Sequence, residues 1–317
     1  VTAADGVRTA LRMIFGSAGS AVDSLRATDA GIRAGLPLSR RIGFVSIAGG
    51  AGTTTTVASV AATLAARRSG SILAVDADGG RSGLGRHLIE VRPRRSEQTT
   101  PEAGTAAADR RRTARTIEDA RSGLPVVGRL PLLDLNDPVG AGAPVAGAPV
   151  AGQRSVAEWT GQLGPIARFF DLVLTDWGIR PAAEDLEQVA ATGHVLVLVA
   201  RADQPSAAAD TLAGLRELPE SPRLVLVLTD IARTAALSRL TADLSDALDL
   251  PVFGLPYDPA VGSDWLYATG RRSIRSRQAV ARLAAGLVTE AAGLRASARI
   301  PAAAVPAAAA PGAVRPA

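Results

Sequence analysis

RRIGFVSIAGGAGTTTTVASVAATLAARRSGSILAVDADGG, residues 40–80, is the stretch that decides the fold. An apolar strand (Ile42 to Ile47) runs into a glycine-threonine loop (Gly49 to Thr56). A helix follows, about Val57 to Arg68, and then a second strand, Ser71 to Val75, ending in Asp76 and Asp78. A glycine-rich turn between a strand and a helix start offers free backbone N–H groups and a positive dipole end, which is how proteins hold phosphate. The loop therefore reads as a phosphate loop, with Gly49, Gly50, Ala51, Gly52, Thr53, Thr54 and Thr55 as its binding residues. One position departs from that reading: where such loops place a lysine stands Thr53.

The rest of the chain supports a large core. It has 317 residues, 47% of them hydrophobic, enough for one substantial domain with flexible segments. Cysteine is absent and histidine occurs only at His87 and His194, so disulfides, thiolate metal sites and zinc clusters drop out, and neither haem nor flavin is expected. Apolar runs such as His194 to Ala200 are of strand length, short of the ~18 residues a membrane span needs. No secretory signal is visible, and the expectation is a cytoplasmic protein; the chain opens on Val1, which leaves a shortened start open. The net charge of +5 is modest and compatible with a solvated surface. All 35 basic residues are arginine, so no lysine elsewhere in this chain can replace the one missing at Thr53.

Downstream of the loop, VLVLVA, RLVLVLTD and FDLVLTD are continuous Val/Leu strands separated by helix-length segments. This pattern predicts a doubly wound α/β fold, a mostly parallel sheet with helices on both faces. The expected organisation is an N-terminal helical or flexible extension (1–40), a first part of the domain (41–90), and a charged, Ala-rich segment (91–121) read as a disordered insertion or irregular surface helix. The domain returns over 122–136, a Gly/Ala/Pro linker covers 137–155, the second part of the domain spans 156–297, and a Pro/Ala tail closes the chain (298–317).

Three features converge on the carboxyl ends of the strands, where such sheets bind ligands. They are the loop, the pair Asp76 and Asp78, and Asp176 at the end of FDLVLTD. In a phosphate-loop hydrolase a Ser or Thr after the lysine position ligates magnesium and a strand-end aspartate holds that ion through water. Thr54 and Asp176 fit those roles. Asp78 suits orientation of an attacking water, with Asp76 beside it. Taken singly, each aspartate is as readily a cap for the next turn.

AGGAGTT (Ala48 to Thr54), VDAD (Val75 to Asp78), LVLTD (Leu172 to Asp176) and LPYDP (Leu255 to Pro259) stand in the order found in the MinD/ParA family of deviant Walker A ATPases. The chain resembles that family over about Ile42 to Leu294, outside the insertion and linker. The resemblance implies a phosphate-loop nucleotide hydrolase fold, ATP and Mg2+ as ligands, Pro256 in the proline segment over the base, and a homodimer or protein partner. It also implies a setting in positioning, partitioning or secretion-machinery assembly, type VII secretion included. Against the family form KGGxGKT, the signature lysine falls on Ala48 and the Walker lysine on Thr53. The adenine-reading asparagine is replaced, with Thr229 and Asp230 where it would lie, and Trp177-Gly178 stands for Thr-Pro-Pro.

A charged contact to phosphate is worth about 1.5–3 kcal/mol, so losing the Walker lysine alone weakens binding roughly ten- to a hundredfold. Turnover suffers more, because phosphoryl transfer depends on neutralising developing charge. Arg81 and Arg86 follow the aspartate pair and Arg201 and Arg233 follow later strand ends, so each could lean toward a phosphate; solvent-exposed loop charge is the plainer account of each. The expectation is a degenerate site, with ATP and Mg2+ binding weakened or absent and the protein acting as a binding or scaffolding module. Two other readings stay open. One is an active ATP-dependent dimerisation switch. The other is a tether to DNA backbone or another acidic partner through Arg271, Arg272, Arg275 and Arg277.

Overall fold

The computed structural model describes residues 22–79, 83–88, 101–136, 153–233, 236–262 and 272–293. Helix α1 (22–33) leads into β1 (Arg40–Ser46), α2 (Thr53–Arg67), β2 (Ile72–Asp76) and α3 (Leu84–Leu88). Next come α4 (Pro101–Arg112), α5 (Ile117–Arg121), β3 (Val126–Val127), β4 (Leu130–Asp134), α6 (Val156–Leu163), a 3-10 turn (Ala167–Phe169) and β5 (Leu172–Ile179). The last part alternates as α7 (Ala183–Ala190), β6 (Val195–Arg201), α8 (Pro205–Arg216), β7 (Arg223–Thr229), α9 (Leu237–Leu248), β8 (Val252–Leu255), α10 (Pro259–Gly262) and α11 (Ile274–Ala291).

The eight strands form one sheet in the order β3-β4-β2-β5-β1-β6-β7-β8. Every neighbouring pair is parallel except β3 with β4. From β1 the chain first builds one side of the sheet, returns through β5, and then builds the other. The loop after β1 therefore lies where the winding reverses, the position at which such sheets bind ligands. Both faces of the central strands are buried, which explains their unbroken apolar sequences. Ile42, Phe44, Leu172 and Leu174 pack on one face with Val57, Leu64 and Leu283 from α2 and α11. Val45, Val173 and Trp177 pack on the other with Trp159, Leu186 and Leu212 from α6, α7 and α8.

One sequence expectation changes and another narrows. Helix α2 begins at Thr53, not Val57, because Gly52 adopts φ 79° and the amide and hydroxyl of Thr56 both donate to its carbonyl, at 2.9 and 2.8 Å. Residues 101–121 hold two helices, α4 and α5, where the sequence left a disordered insertion or an irregular surface helix open. Their alanines are small enough to pack closely: Ala107, Ala114 and Ala120 are buried, as is Arg111, whose Nη1 donates to Ser122 O (2.6 Å). Helix α5 is held at its start by a capping box between Thr116 and Asp119. The extension before residue 22, most of the linker and the Pro/Ala tail lie outside the described residues.

Candidate functional site

The loop's backbone has the left-handed glycines and open helix start that a phosphate loop requires. Gly50 (φ 72°) and Gly52 (φ 79°) take left-handed conformations that a side chain would strain. The first turn of α2 has no acidic residue and no side-chain cap, so its N–H groups point out unmasked. Ala48, Gly49 and Gly50 are exposed, Thr54 and Thr55 half-buried, and Ala51 and Thr53 buried. From β7, Thr229 Oγ1 donates to Ala51 O at 2.8 Å, and its methyl would lie 3.7 Å from a Cβ on Gly52. Thr229 thus clasps the loop from the side. Pro256 follows β8, one strand further out, at the same end of the sheet; Asp230 N donates to Leu255 O beside it (2.9 Å).

Across three adjacent strands the carboxylates stand in register: Asp76 pairs with Asp134 of β4 on one side and Asp176 of β5 on the other. Asp76 is 1% exposed, and its oxygens are committed. Oδ1 accepts from Asp78 N (3.2 Å) and Asn136 Nδ2 (3.4 Å), and Oδ2 accepts from Leu84 N (2.5 Å). Burial, followed by the neighbouring Asp134 charge, raises it to about 6. These bonds give Asp76 a holding role for the turn into α3. Asp176 is fully buried and raised to about 7, chiefly by burial and then by Asp76 and Asp78, with the Thr54 hydroxyl opposing. Its Oδ1 accepts from Gly178 N (3.0 Å), while Oδ2 has no hydrogen-bond partner among the described residues. Half-buried Asp78 lies directly over Gly178, where an added Cβ would sit 1.5 Å from its Oδ1.

A buried carboxylate oxygen without a donor, beside a threonine hydroxyl and a second carboxylate, fits a hard divalent cation held partly through water. Thr54 and Asp176 are the residues that would hold it. Among the described residues no three acidic or imidazole groups converge as a cluster able to hold a metal ion, so a cation here would need oxygens from a ligand to complete its shell.

The positive side of the site is different. Arg201 forks onto Asp203 (2.9 and 2.6 Å), and Arg233 lies over the Tyr257 ring (4.5 Å) with Nη2 donating to its hydroxyl (3.3 Å). Arg81 and the side chain of Arg86 lie outside the described residues. Of the late arginines, Arg271 is likewise outside, and Arg275 and Arg277 are exposed. Arg272 corrects the expectation of a surface contact: it is 9% exposed and donates from Nη2 to Ser59 Oγ of α2 (3.0 Å).

Sequence reasoning missed four participants. Asp134 carries the same strand-end signal that picked out Asp176. Asn136 bridges Asp76 to Arg154, whose Nε donates to Asn136 Oδ1 (3.0 Å). Arg180 is buried over the Trp177 ring (5.4 Å) and donates to the carbonyls of Trp177 (3.0 Å), Ala77 (3.3 Å) and Arg154 (2.8 Å). It braces the backbone under Asp78, and nothing in the local sequence marks it. Trp177 itself packs on Trp159 with the rings tilted by 40° and their centroids 5.6 Å apart, and Trp159 Nε1 donates to Thr175 Oγ1 (3.1 Å).

No protein-family model and no curated protein matches the chain by sequence. Solved structures match it by shape. A ParA family ATPase from Chlorobium tepidum TLS superposes with a TM-score of 0.55 at 18% identity, covering 78% of this chain and 98% of that one. MinD in the MinC:MinD cell division complex of Aquifex aeolicus gives 0.53 at 17%, covering 78% and 95%. The fold is that of ParA and MinD. A third ParA/MinD structure, the septum site-determining protein MinD of Pyrococcus horikoshii OT3 complexed with Mg-ADP, gives 0.50 at 19%, covering 77% and 94%. The ParA/MinD fold thus spans nearly the whole of each neighbour, and at these identities the likeness is one of fold. Among the described residues no helix is long and apolar enough to cross a membrane.

Proposed function

We propose that this chain is a ParA/MinD-like protein that has kept the cation side of a nucleotide site and lost its phosphate side, and that it acts as a binding or scaffolding module. The observation that carries the proposal is Ala48 and Thr53 in a loop whose backbone is otherwise intact, with Arg201 and Arg233 turned to other partners. Threonine at 53 offers no charge to a β- or γ-phosphate. A bound Mg2+ would supply charge toward phosphate oxygens; Thr54 and Asp176 would position it, and Asp78 would hold a water. The cradle then serves to set the shape of a partner-binding surface. One solved neighbour is the MinC:MinD cell division protein complex, which supports a protein partner; the setting of this proposal is the cytoplasm, in positioning, partitioning or secretion-machinery assembly. Hydrolysis of ATP by the purified chain at the rate of lysine-bearing ParA proteins would overturn this proposal.

A second reading, an ATP-dependent dimerisation switch, is favoured by one observation. Among the described residues Asp176 Oδ2 is buried with no hydrogen-bond partner, an arrangement that a bound cation would relieve. In that case a partner supplies the missing charge in trans. ATP turnover that appears only when a candidate partner is added distinguishes the switch from the scaffold.

A further inference from the structure

At the amino ends of β2 and β4, the end of the sheet opposite the loop, a cavity of about 290 Å³ opens between the turn into β2 and the β3–β4 hairpin. A proline explains it. Along β4, Leu132 donates its N–H to Pro125 O (2.9 Å) on the β3 side, so by strand alternation Pro131 and Leu133 face β2. Along β2, Asp76 O accepts from Leu135 N (3.0 Å), so Asp76, Ala74 and Ile72 face β4. Ile72 therefore turns its carbonyl toward Pro131, which has no N–H to give. Pairing of the two strands begins one step later, at Ala74 and Leu132. The Ile72 carbonyl is left without a donor from β4, in a residue only 2% exposed that lines the cavity.

Two guanidiniums line the same cavity, Arg121 from the end of α5 and Arg129 from the hairpin turn. Both are exposed, and neither is in an ion pair among the described residues. No acidic residue lines the cavity; the nearby Asp171 lies outside the lining and accepts from Ser71 N (3.0 Å). Ala65 and Val126 supply an apolar wall. Guanidinium forks match a carboxylate, and a buried carbonyl short of a donor favours a ligand that brings an N–H. A phosphate monoester dianion brings acceptors only. The last residue of a polypeptide brings both groups, its terminal carboxylate and its own amide N–H. The volume lies at the lower bound of the ~300–1,000 Å³ of ligand pockets, which suits a chain end.

We propose that this cavity captures the free carboxyl terminus of a partner protein. The terminal carboxylate lies between Arg121 and Arg129, the last amide N–H meets Ile72 O, and a small apolar side chain rests against Ala65 and Val126. The site is separate from the loop and stands whether or not the loop binds nucleotide. The probe is acetyl-Gly-Ala-Val with a free carboxylate, titrated calorimetrically into the full chain at pH 8 and low salt. The expected result is saturable binding at one site. Arg121→Gln and Arg129→Gln are each expected to weaken it about tenfold, by loss of one charge-assisted contact.

Two altered peptides test the proposal on the natural chain alone, so folding of the variants does not decide it. The carboxyl-terminal amide is expected to bind at least tenfold more weakly, and the peptide N-methylated at its valine about fivefold more weakly. Arg239→Gln is the control: Arg239 is exposed on α9, which packs on β8 at the far edge of the sheet, and its loss is expected to change affinity less than twofold. Phenyl phosphate is expected not to displace the peptide. The proposal fails if the natural chain shows no saturable binding, if either altered peptide binds as tightly as the original, if Arg239→Gln weakens binding as much as Arg129→Gln, or if phenyl phosphate competes.

Discussion

Asp176→Asn converts the electrostatics of the site into a measurable stability. In the folded chain Asp176 holds its proton up to about pH 7, whereas the ordinary aspartate value is 3.8. Between those values the native state binds more protons than the unfolded state, so this group's contribution is most favourable in acid and is lost as pH rises through the window. A gap of about three pKa units corresponds to about 4 kcal/mol at pH 8. Asparagine does not titrate. Its buried amide adds a constant cost of about 1–3 kcal/mol, which is the same at every pH and cancels when the shapes of two profiles are compared. Asp76, raised to about 6 chiefly by burial and then by the Asp134 charge, is present in both proteins, so its own titration is common to the two profiles. The assay is urea unfolding of both proteins from pH 4 to pH 8 in EDTA. From the acid end to the alkaline end, the variant should gain about 4 kcal/mol on the natural chain. Parallel profiles would refute the argument that burial holds Asp176 protonated.

Three further substitutions probe the frame. Gly178→Ala places a Cβ on the Asp78 carboxylate at φ 64°, and should cost at least about 2 kcal/mol; an unchanged melting temperature contradicts the packing described. Thr229→Val leaves Ala51 O without its donor, at about 1–2 kcal/mol, and should speed amide hydrogen exchange across 51–54, whereas unchanged exchange would show that β7 does not restrain the loop. Arg180→Met strips donors from three carbonyls and should cost about 3 kcal/mol in urea unfolding; a loss below about 1 kcal/mol would mean the guanidinium is not the brace it is taken to be.

The fold was legible where the sequence is periodic or punctuated. The loop, with its glycines between an apolar run and a helix start, and the Val/Leu runs of β5, β6 and β7 each name their element without help from the rest. Asp176 was legible because it ends such a run, and Asp134 was open to the same logic. Asn136, Arg154 and Arg180 were not, because their roles come from contacts across the fold: Asn136 reaches Asp76 on a neighbouring strand, and Arg180 reaches Ala77. In sequence the alanines of 101–121 offer little to bury, yet Ala107, Ala114 and Ala120 are buried where α4 and α5 pack. In sequence Arg272 is one member of a charge run. A run does not say which member faces inward, and Ser273, which caps α11, leaves Arg272 outside the helix and directed at Ser59.

In the proposed reading the loop lacks only its phosphate-facing charge. Calorimetric titration of ATP with Mg2+ into the natural chain and into Thr53→Lys tests it most directly. Weak or absent binding in the natural chain, with binding tighter by tenfold or more in Thr53→Lys, is the predicted result. Binding by the natural chain as tight as that of Thr53→Lys would contradict it.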